Sequence, residues 1–410
     1  MYKFDWLSCW NRLSAIALLR YDFFEITQDE RRPESSIHLD GSQIKSGMTK
    51  VGGLIALFFV TNAFAQTTVR VLLAEGLLVD TVSWQFATSK NSFVCTFSEG
   101  SLLCNGKKLP QQAVRIRTED GRCSYQNAAY AGQLSLVIQD DRWYIVNHLS
   151  LDDYVYSVLR SESWPGWPLE VNKVFAIMVR TYVVHRIMTK NRKKKLYDIK
   201  ATNIHQTYKG LHEFEHLHQA VRDTHDIIIA HNKRPILAMY DSCCGGVVPA
   251  QITGFDFKEH PYLARPYACQ HCSDCKIFSW KIVYKPEKLL KLLQEEFPEI
   301  TVCKEVAVSL SDSAGKVLEI SVKNTHQQVK IPGPVVYRLC KDIRSFCYTV
   351  HKEHKNIVFT GKGFGHHMGI CQWGVRAMEK KGFDYKQMIH YYYPGTSLMK
   401  LVAESNNATT

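Results

Sequence analysis

Apolar positions along the chain repeat with two periods. Val69, Val71 and Leu73 alternate around Arg70 and Leu72 as in a strand, and the runs 134–138, 143–146, 306–310 and 317–322 read the same way. Ala314-Gly315, between the last two runs, predicts a hairpin turn. After Trp167-Pro168 the period lengthens. Val171, Val174, Phe175, Met178, Val179 and Tyr182 recur every three or four residues, which predicts a helix with Pro168 in its first turn. A preceding helix over 152–159 has Ser150 as its cap and Asp153 three residues on. Others are predicted at 286–296, 373–381 and 385–392. Strands and helices are interspersed without a βαβ rhythm, so the fold class is α+β rather than a doubly wound sheet.

The first 65 residues are patterned differently. Lys50 is followed by the apolar run 51–60 and by Ala63-Phe64-Ala65: a charged flank, a short core and a small-x-small cleavage site, as in a secretory signal peptide. The run is half as long as the ~20 residues a membrane-spanning helix needs. Met48 is the natural initiator, which makes 48–65 the signal, Gln66 the first mature residue, and 1–47 an over-extended reading frame. The rival reading makes 1–47 a short cytoplasmic tail before an uncleaved anchor, with 9–19 apolar enough to keep it open. Residues 66–401 suffice for one large or two small domains, followed by a tail over 402–410. No internal repeat divides them.

Charge narrows the partners. The net charge is +12, and residues 1–65 carry equal numbers of each sign, so the exported part keeps the whole excess. Such a chain suits an anionic partner. The densest basic run, 190–195, fits nucleic acid, acidic lipid or the lactyl carboxylates of peptidoglycan, or is a plain solvated loop. Export favours the wall over nucleic acid and places the protein in the periplasm or cell envelope, membrane-associated if the signal stays uncleaved.

Twelve of the 13 cysteines follow residue 65, where an oxidising compartment permits pairing. Cys95 and Cys104 flank Ser98-Glu99-Gly100 and could staple a hairpin. Cys269, Cys272 and Cys275 have C-x2-C-x2-C spacing around His271, with Cys243-Cys244 upstream, which allows a tetrahedral zinc site. Against this, adjacent cysteines do not easily point both sulfurs at one ion. Disulfides or free thiols are the simpler account, and no metal or cofactor is expected.

Candidate chemistry concentrates in 161–167, the connector between the two predicted helices, where Glu162 is the one carboxylate beside Trp164, Gly166 and Trp167. An indole ring stacks on a pyranose face and raises a neighbouring carboxyl's pKa by desolvation, which keeps an acid protonated and ready to donate. The alternative is that Glu162 caps the Pro168 helix.

Asp152-Asp153-Tyr154-Val155-Tyr156-Ser157-Val158-Leu159, Glu162, Trp167-Pro168, Glu170 and Arg180-Thr181-Tyr182 resemble the segment by which the stage II sporulation protein D (SpoIID) family, including the LytB amidase enhancers, is recognised. A second block, Gly361, Gly363, Gly365-His366-His367, Gly369 and Cys371-Gln372-Trp373-Gly374, resembles the family's His-Gly signature. Tyr391-Tyr392-Tyr393-Pro394-Gly395-Thr396 resembles its closing element. Between them, Gln206 and Tyr208, the stretch Asp241 to Gly246, and Pro261-Tyr262-Leu263 stand where the family has Gln-x-Tyr, Ser-x-x-Gly-Gly and Pro-Tyr-Leu. The match runs from about Val69 to Leu401 and makes 66–401 one catalytic domain. There are departures: His367 replaces a glycine, Cys371 a serine and Val375 an alanine. Where some members bind zinc through Cys-x4-His-Cys, residues 199–205 keep only His205 as a ligand type.

The resemblance implies a peptidoglycan lytic transglycosylase with mixed strands and helices around one glycan-binding groove. It would cleave between N-acetylmuramic acid and N-acetylglucosamine in strands stripped of stem peptides, leaving 1,6-anhydro ends. Glu162 is the implied acid and base. Arg180 and Tyr182 are candidates for substrate polar groups. Trp164, Trp167, Tyr208, Gln372, Trp373 and Tyr393 are candidates to line the groove, and His366 sits where a Gly-rich backbone approaches a ligand closely. The other reading is a non-catalytic glycan-binding enhancer of a cell-wall amidase. A thiol enzyme using Cys371 with His366 or His367 is a third, weakened because nothing marks the family's serine there as a nucleophile.

Overall fold

The computed structural model describes residues 68–401, apart from 118, 119, 165, 190, 191, 193, 194 and 326. The expected signal, the segment 1–47, most of the basic run and the tail 402–410 lie outside the described residues. Arg192, inside that run, donates to Asp198, which Arg70 also grips.

The alternating N-terminal segments form two antiparallel-rich sheets. One orders Ile199–Lys200, Val69–Leu77, Arg142–Leu149, Gln133–Gln139 and Ala113–Ile116 side by side. The other has six strands between Thr81 and Ala131. Trp84 of the second meets Trp143 of the first edge to face at 5.6 Å. Cys95 and Cys104 lie directly opposite each other across the hairpin joining Ser92–Ser98 to Ser101–Cys104, as their spacing predicts.

Seven α-helices are described: α1 (Leu151–Glu162), α2 (Leu169–Thr189), α3 (Glu215–Asp223), α4 (Pro286–Leu293), α5 (Gly333–Leu339), α6 (Gln372–Glu379) and α7 (Tyr385–Tyr392). Ser150 caps α1 by accepting from the Asp153 N–H. α1 runs three residues beyond the expected 159, so Glu162 is its last residue and the connector shortens to 163–168. α2 carries the predicted apolar stripe, but Asn172, Ala176, Ile177, Arg180, Thr181 and Val183 are buried as well. A helix covered on all sides is a core element, and α2 packs against α1, α3, α6 and α7. Among the described residues no helix is long and apolar enough to cross a membrane.

The fold is α+β, and the described residues form two large apolar cores and a small third cluster of Val247, Ile252, Cys347 and Met368. The larger is built from residues 69–275 and 370–401 and contains both N-terminal sheets and α2. The smaller is built from 280–359: two three-stranded sheets with α4 and α5 packed on them. Its Val317–Lys323 strand pairs with Glu305–Ser311 across the predicted Gly315 turn. The excursion starts and ends at one place, where the Gly363 N–H donates to the Phe278 carbonyl at 2.6 Å. Beyond it the chain returns to the large core as Ile370–Cys371, which pairs in parallel with Tyr240–Asp241.

That return is tight. Gly369 has φ +72, and a Cβ there would sit 1.8 Å from the Met239 carbonyl oxygen. Gly382 has a similar φ of +85 but open space around it. Gly369→Ala should therefore cost at least ~2 kcal/mol in chemical denaturation, from clash and strain together. Gly382→Ala should cost only the ~1 kcal/mol of a left-handed backbone. Equal losses would show that the close approach at Met239 contributes nothing.

Candidate functional site

Glu162 stands at the C-terminus of α1, with its carboxyl turned into the protein. The Thr207 N–H donates to Oε1 at 2.7 Å, and the Tyr240 phenol and Thr207 hydroxyl also bond to the carboxyl. Lys209 adds positive charge nearby. Dense surroundings outweigh these donors, and burial holds the carboxyl above its usual range although part of the residue reaches solvent. Tyr240 is pushed well above the usual phenol range by burial and by the Glu162 charge, so it is a donor throughout the physiological range. Glu162 does not cap α2, because its carboxyl is committed to Thr207 and Tyr240.

Backbone contacts tie this acid to the returning chain. The Gln372 amide donates to the Glu162 carbonyl at 2.9 Å, which fastens the end of α1 to the start of α6. On the same side three tryptophans gather: Trp164 and Trp167 stack at 5.5 Å, and Trp373 stands edge-on to both at 6.2 and 6.0 Å. Arg376 caps the cluster, its guanidinium 5.1 Å from the Trp373 ring and 5.7 Å from that of Trp167. His366 lies beside Tyr240 and bonds to its backbone, while His366 Nδ1 accepts from the Met368 N–H. Burial, then the neighbouring His367, holds the pKa of His366 down at about 4, so the ring is neutral at pH 7.

Of the residues expected at the site, Gln372 meets the Glu162 carbonyl, Trp164 and Trp373 cluster around the buried Trp167, and His366 lies beside Tyr240, which bonds the Glu162 carboxyl. Tyr182 lies close enough to Tyr240 for its charge to act on that phenol. Arg180 does not join them. It is fully buried and donates to the Thr224 and Ile227 carbonyls and to Asp152, clamping α2 to α3 and α1. Tyr208 is packed between Tyr130 and Tyr154 with its hydroxyl on Asn147. Tyr393 is buried, its hydroxyl on the Met239 carbonyl at 2.6 Å. These three support the site's frame rather than its surface. Sequence reasoning missed Thr207, Tyr240 and Lys209. Thr207 is the middle residue of Gln206-Thr207-Tyr208, and its main contribution is a backbone N–H, which leaves no side-chain signature.

His367 has φ +67, the left-handed conformation that a glycine adopts freely. Hydrogen bonds hold it there: its N–H donates to Asp241 Oδ2 at 2.7 Å, and its ring Nδ1 bonds the Cys244 carbonyl at 2.9 Å. Asp241 makes that contact through Oδ2, its buried Oδ1 has no hydrogen-bond partner among the described residues, and burial holds its carboxyl well above the usual range. Clefts of about 410 Å³ by Glu305, Lys323 and Gln328 and of about 380 Å³ by Asp153, Tyr156 and His225 do not include Glu162 or the tryptophans. The expected groove is therefore not one of these two concavities.

Comparison with known proteins converges on the same segments. A stage II sporulation protein family model matches residues 139–231, which contain α1, Glu162 and Thr207. A second model, a domain of unknown function, matches 263–369 and covers the smaller core. An uncharacterized protein of Brachyspira hyodysenteriae is 29% identical over 291 residues, 70% of this chain and 77% of that one. Stage II sporulation protein D of Bacillus subtilis is 25% identical over 284 residues, 64% of this chain and 78% of its own. The amidase enhancer of the same species is 33% identical over 88 residues, 22% of this chain and 12% of its own. Residues 139–231, the acid's own segment, thus carry a stage II sporulation protein (SpoIID) domain, in a chain similar to sporulation protein D over most of that protein's length.

Proposed function

We propose that this protein is an exported peptidoglycan lytic transglycosylase and that Glu162 is its general acid and base. The observation that carries the reading is a carboxyl raised by burial and held by Thr207 and Tyr240, on a residue whose carbonyl Gln372 ties to α6, the helix that adds Trp373 to the cluster with Trp164 and Trp167. A hydrolase needs two carboxylates flanking the bond, one to protonate the leaving oxygen and one to activate water or attack carbon. Here Asp241 accepts the His367 N–H through Oδ2, and burial disfavours the charged form that a base or nucleophile needs.

One carboxyl suffices for an intramolecular reaction. Protonated Glu162 donates to the glycosidic oxygen between N-acetylmuramic acid and N-acetylglucosamine. As carboxylate it then takes the proton of the sugar's own C6 hydroxyl, and that oxygen bonds to the anomeric carbon to close a 1,6-anhydro ring. Because nucleophile and electrophile belong to one residue, no water need be ordered. Indole faces hold sugar rings, and the positive balance of the chain suits the lactyl carboxylates of denuded strands. Similarity to an amidase enhancer over 88 residues favours a second reading, in which the chain binds glycan for a partner amidase without cutting it.

Glu162→Gln keeps size and hydrogen bonding but removes proton transfer. Cleavage of denuded glycan should fall by at least ~10² to 10⁴ while glycan binding persists, and mass analysis of wild-type products should find anhydro ends. Reducing ends would make the enzyme a hydrolase, normal cleavage by the variant would move the acid elsewhere, and binding without cleavage by both proteins would favour the enhancer.

The raised carboxyl also sets a pH dependence. The folded protein holds the Glu162 proton more tightly than the unfolded chain does, so this group's contribution to stability declines as pH rises from the ordinary carboxylate range through the raised folded value. Glu162→Gln removes that decline. Relative to wild type the variant should be more stable at neutral pH, with the gap closing on acidification in urea melts. A pH-independent gap would mean that the carboxyl is not raised. Wild-type cleavage should lose its protonated acid only above the ordinary carboxylate range.

A further inference from the structure

Four cysteines from three separate segments converge behind the site. Cys244 follows the Tyr240–Asp241 strand, Cys269 and Cys272 form a C-x2-C turn, and Cys371 precedes α6. All four are buried, and their sulfurs lie within 4.8 Å of one another. The Cys244 and Cys272 sulfurs are 3.7 Å apart, close to the ~3.8 Å edge of a tetrahedron with metal–sulfur bonds of ~2.3 Å. The spacing alone suggested a different set. Cys275 turns away and meets Cys243 at 3.4 Å, so the adjacent pair Cys243-Cys244 splits between two partners and Cys371 supplies the fourth sulfur.

The surroundings suit thiolates. The Cys244 N–H points at the Cys371 sulfur at 3.3 Å, and the Tyr392 hydroxyl lies 3.2 Å from the Cys269 sulfur. Outer donors of this kind orient and tune metal-bound ligands. Arg265 provides an independent observation. It is 1% exposed, its Nε, Nη1 and Nη2 have no hydrogen-bond partner among the described residues, and it is enclosed by the rings of Tyr267, Tyr391 and Tyr392. A guanidinium so placed needs a nearby negative charge. Cys244 and Cys269 are close enough to act on it electrostatically, and one divalent ion with four thiolates carries two net negative charges.

We propose that Cys244, Cys269, Cys272 and Cys371 bind one zinc ion as thiolates, releasing their four protons to solvent, in a closed structural site. Four soft ligands in a compact tetrahedron select zinc, and with no position left for water the ion does no chemistry on substrate. Its effect is on position. Cys371 immediately precedes Gln372, which holds the Glu162 carbonyl, and its strand pairs with the one carrying Tyr240. The proposal does not depend on which reaction Glu162 performs.

Metal analysis of the full chain, purified without chelators from cells supplied with zinc, tests it. About one zinc per chain is expected, released by a mercurial thiol reagent, and cobalt in its place should give the visible spectrum of a tetrahedral tetrathiolate. Cys272→Ser should lose the ion and Cys275→Ser should keep it. Should Cys272→Ser fail to fold, the wild-type zinc content and the cobalt spectrum still decide. Wild-type protein without zinc, with these cysteines recovered as disulfides by non-reducing peptide mapping, would overturn the proposal. So would iron in place of zinc, or zinc retained in Cys272→Ser and lost in Cys275→Ser.

Discussion

The short parallel pairing of Tyr240–Asp241 with Ile370–Cys371 brings together segments far apart in sequence, and the candidate site depends on it. One strand carries the phenol that bonds Glu162. The other leads directly into α6, whose first residues fasten the acid's backbone and add Trp373 to the aromatic cluster. Parallel strands require a long connection, and here that connection contains the whole smaller core. The pairing also permits no side chain at Gly369, because the Met239 carbonyl occupies that space.

At Glu162 two opposing influences meet. Burial disfavours the carboxylate, while the Thr207 N–H, the Tyr240 phenol and Lys209 favour it. The balance leaves a carboxyl that holds its proton more tightly than usual yet has donors ready for the charged form. A group required first to give and then to accept a proton needs both. His366, neutral beside Tyr240, adds no charge that would upset the balance.

Much of this was legible in residue order. Ser150 announces α1, the apolar repeat from Val171 announces α2, and Gly315 marks the hairpin between two of the smaller core's strands. Glu162 was marked by the family resemblance, since its setting among tryptophans left a helix cap as an open alternative. The role of Arg180 was not legible, since a guanidinium in a family motif reads alike whether it faces a ligand or, as here, the carbonyls of Thr224 and Ile227. Thr207 was hidden because it acts mainly through its backbone. The cysteine quartet was hidden because Cys371 lies almost a hundred residues after the C-x2-C turn, and only the returning strand brings it there.

The meeting of Phe278 with Gly363 has a consequence for how the chain assembles. Once residues 279–362 have folded on themselves, the loop that must close to pair Tyr240–Asp241 with Ile370–Cys371 shrinks from 242–369 to little more than 242–278 and 363–369. On the logarithmic scaling of loop entropy that shortening is worth about 1 kcal/mol. The smaller core thus acts as a clasp on the chain, and its length can vary without moving the two ends that present Tyr240 and Gln372 to Glu162.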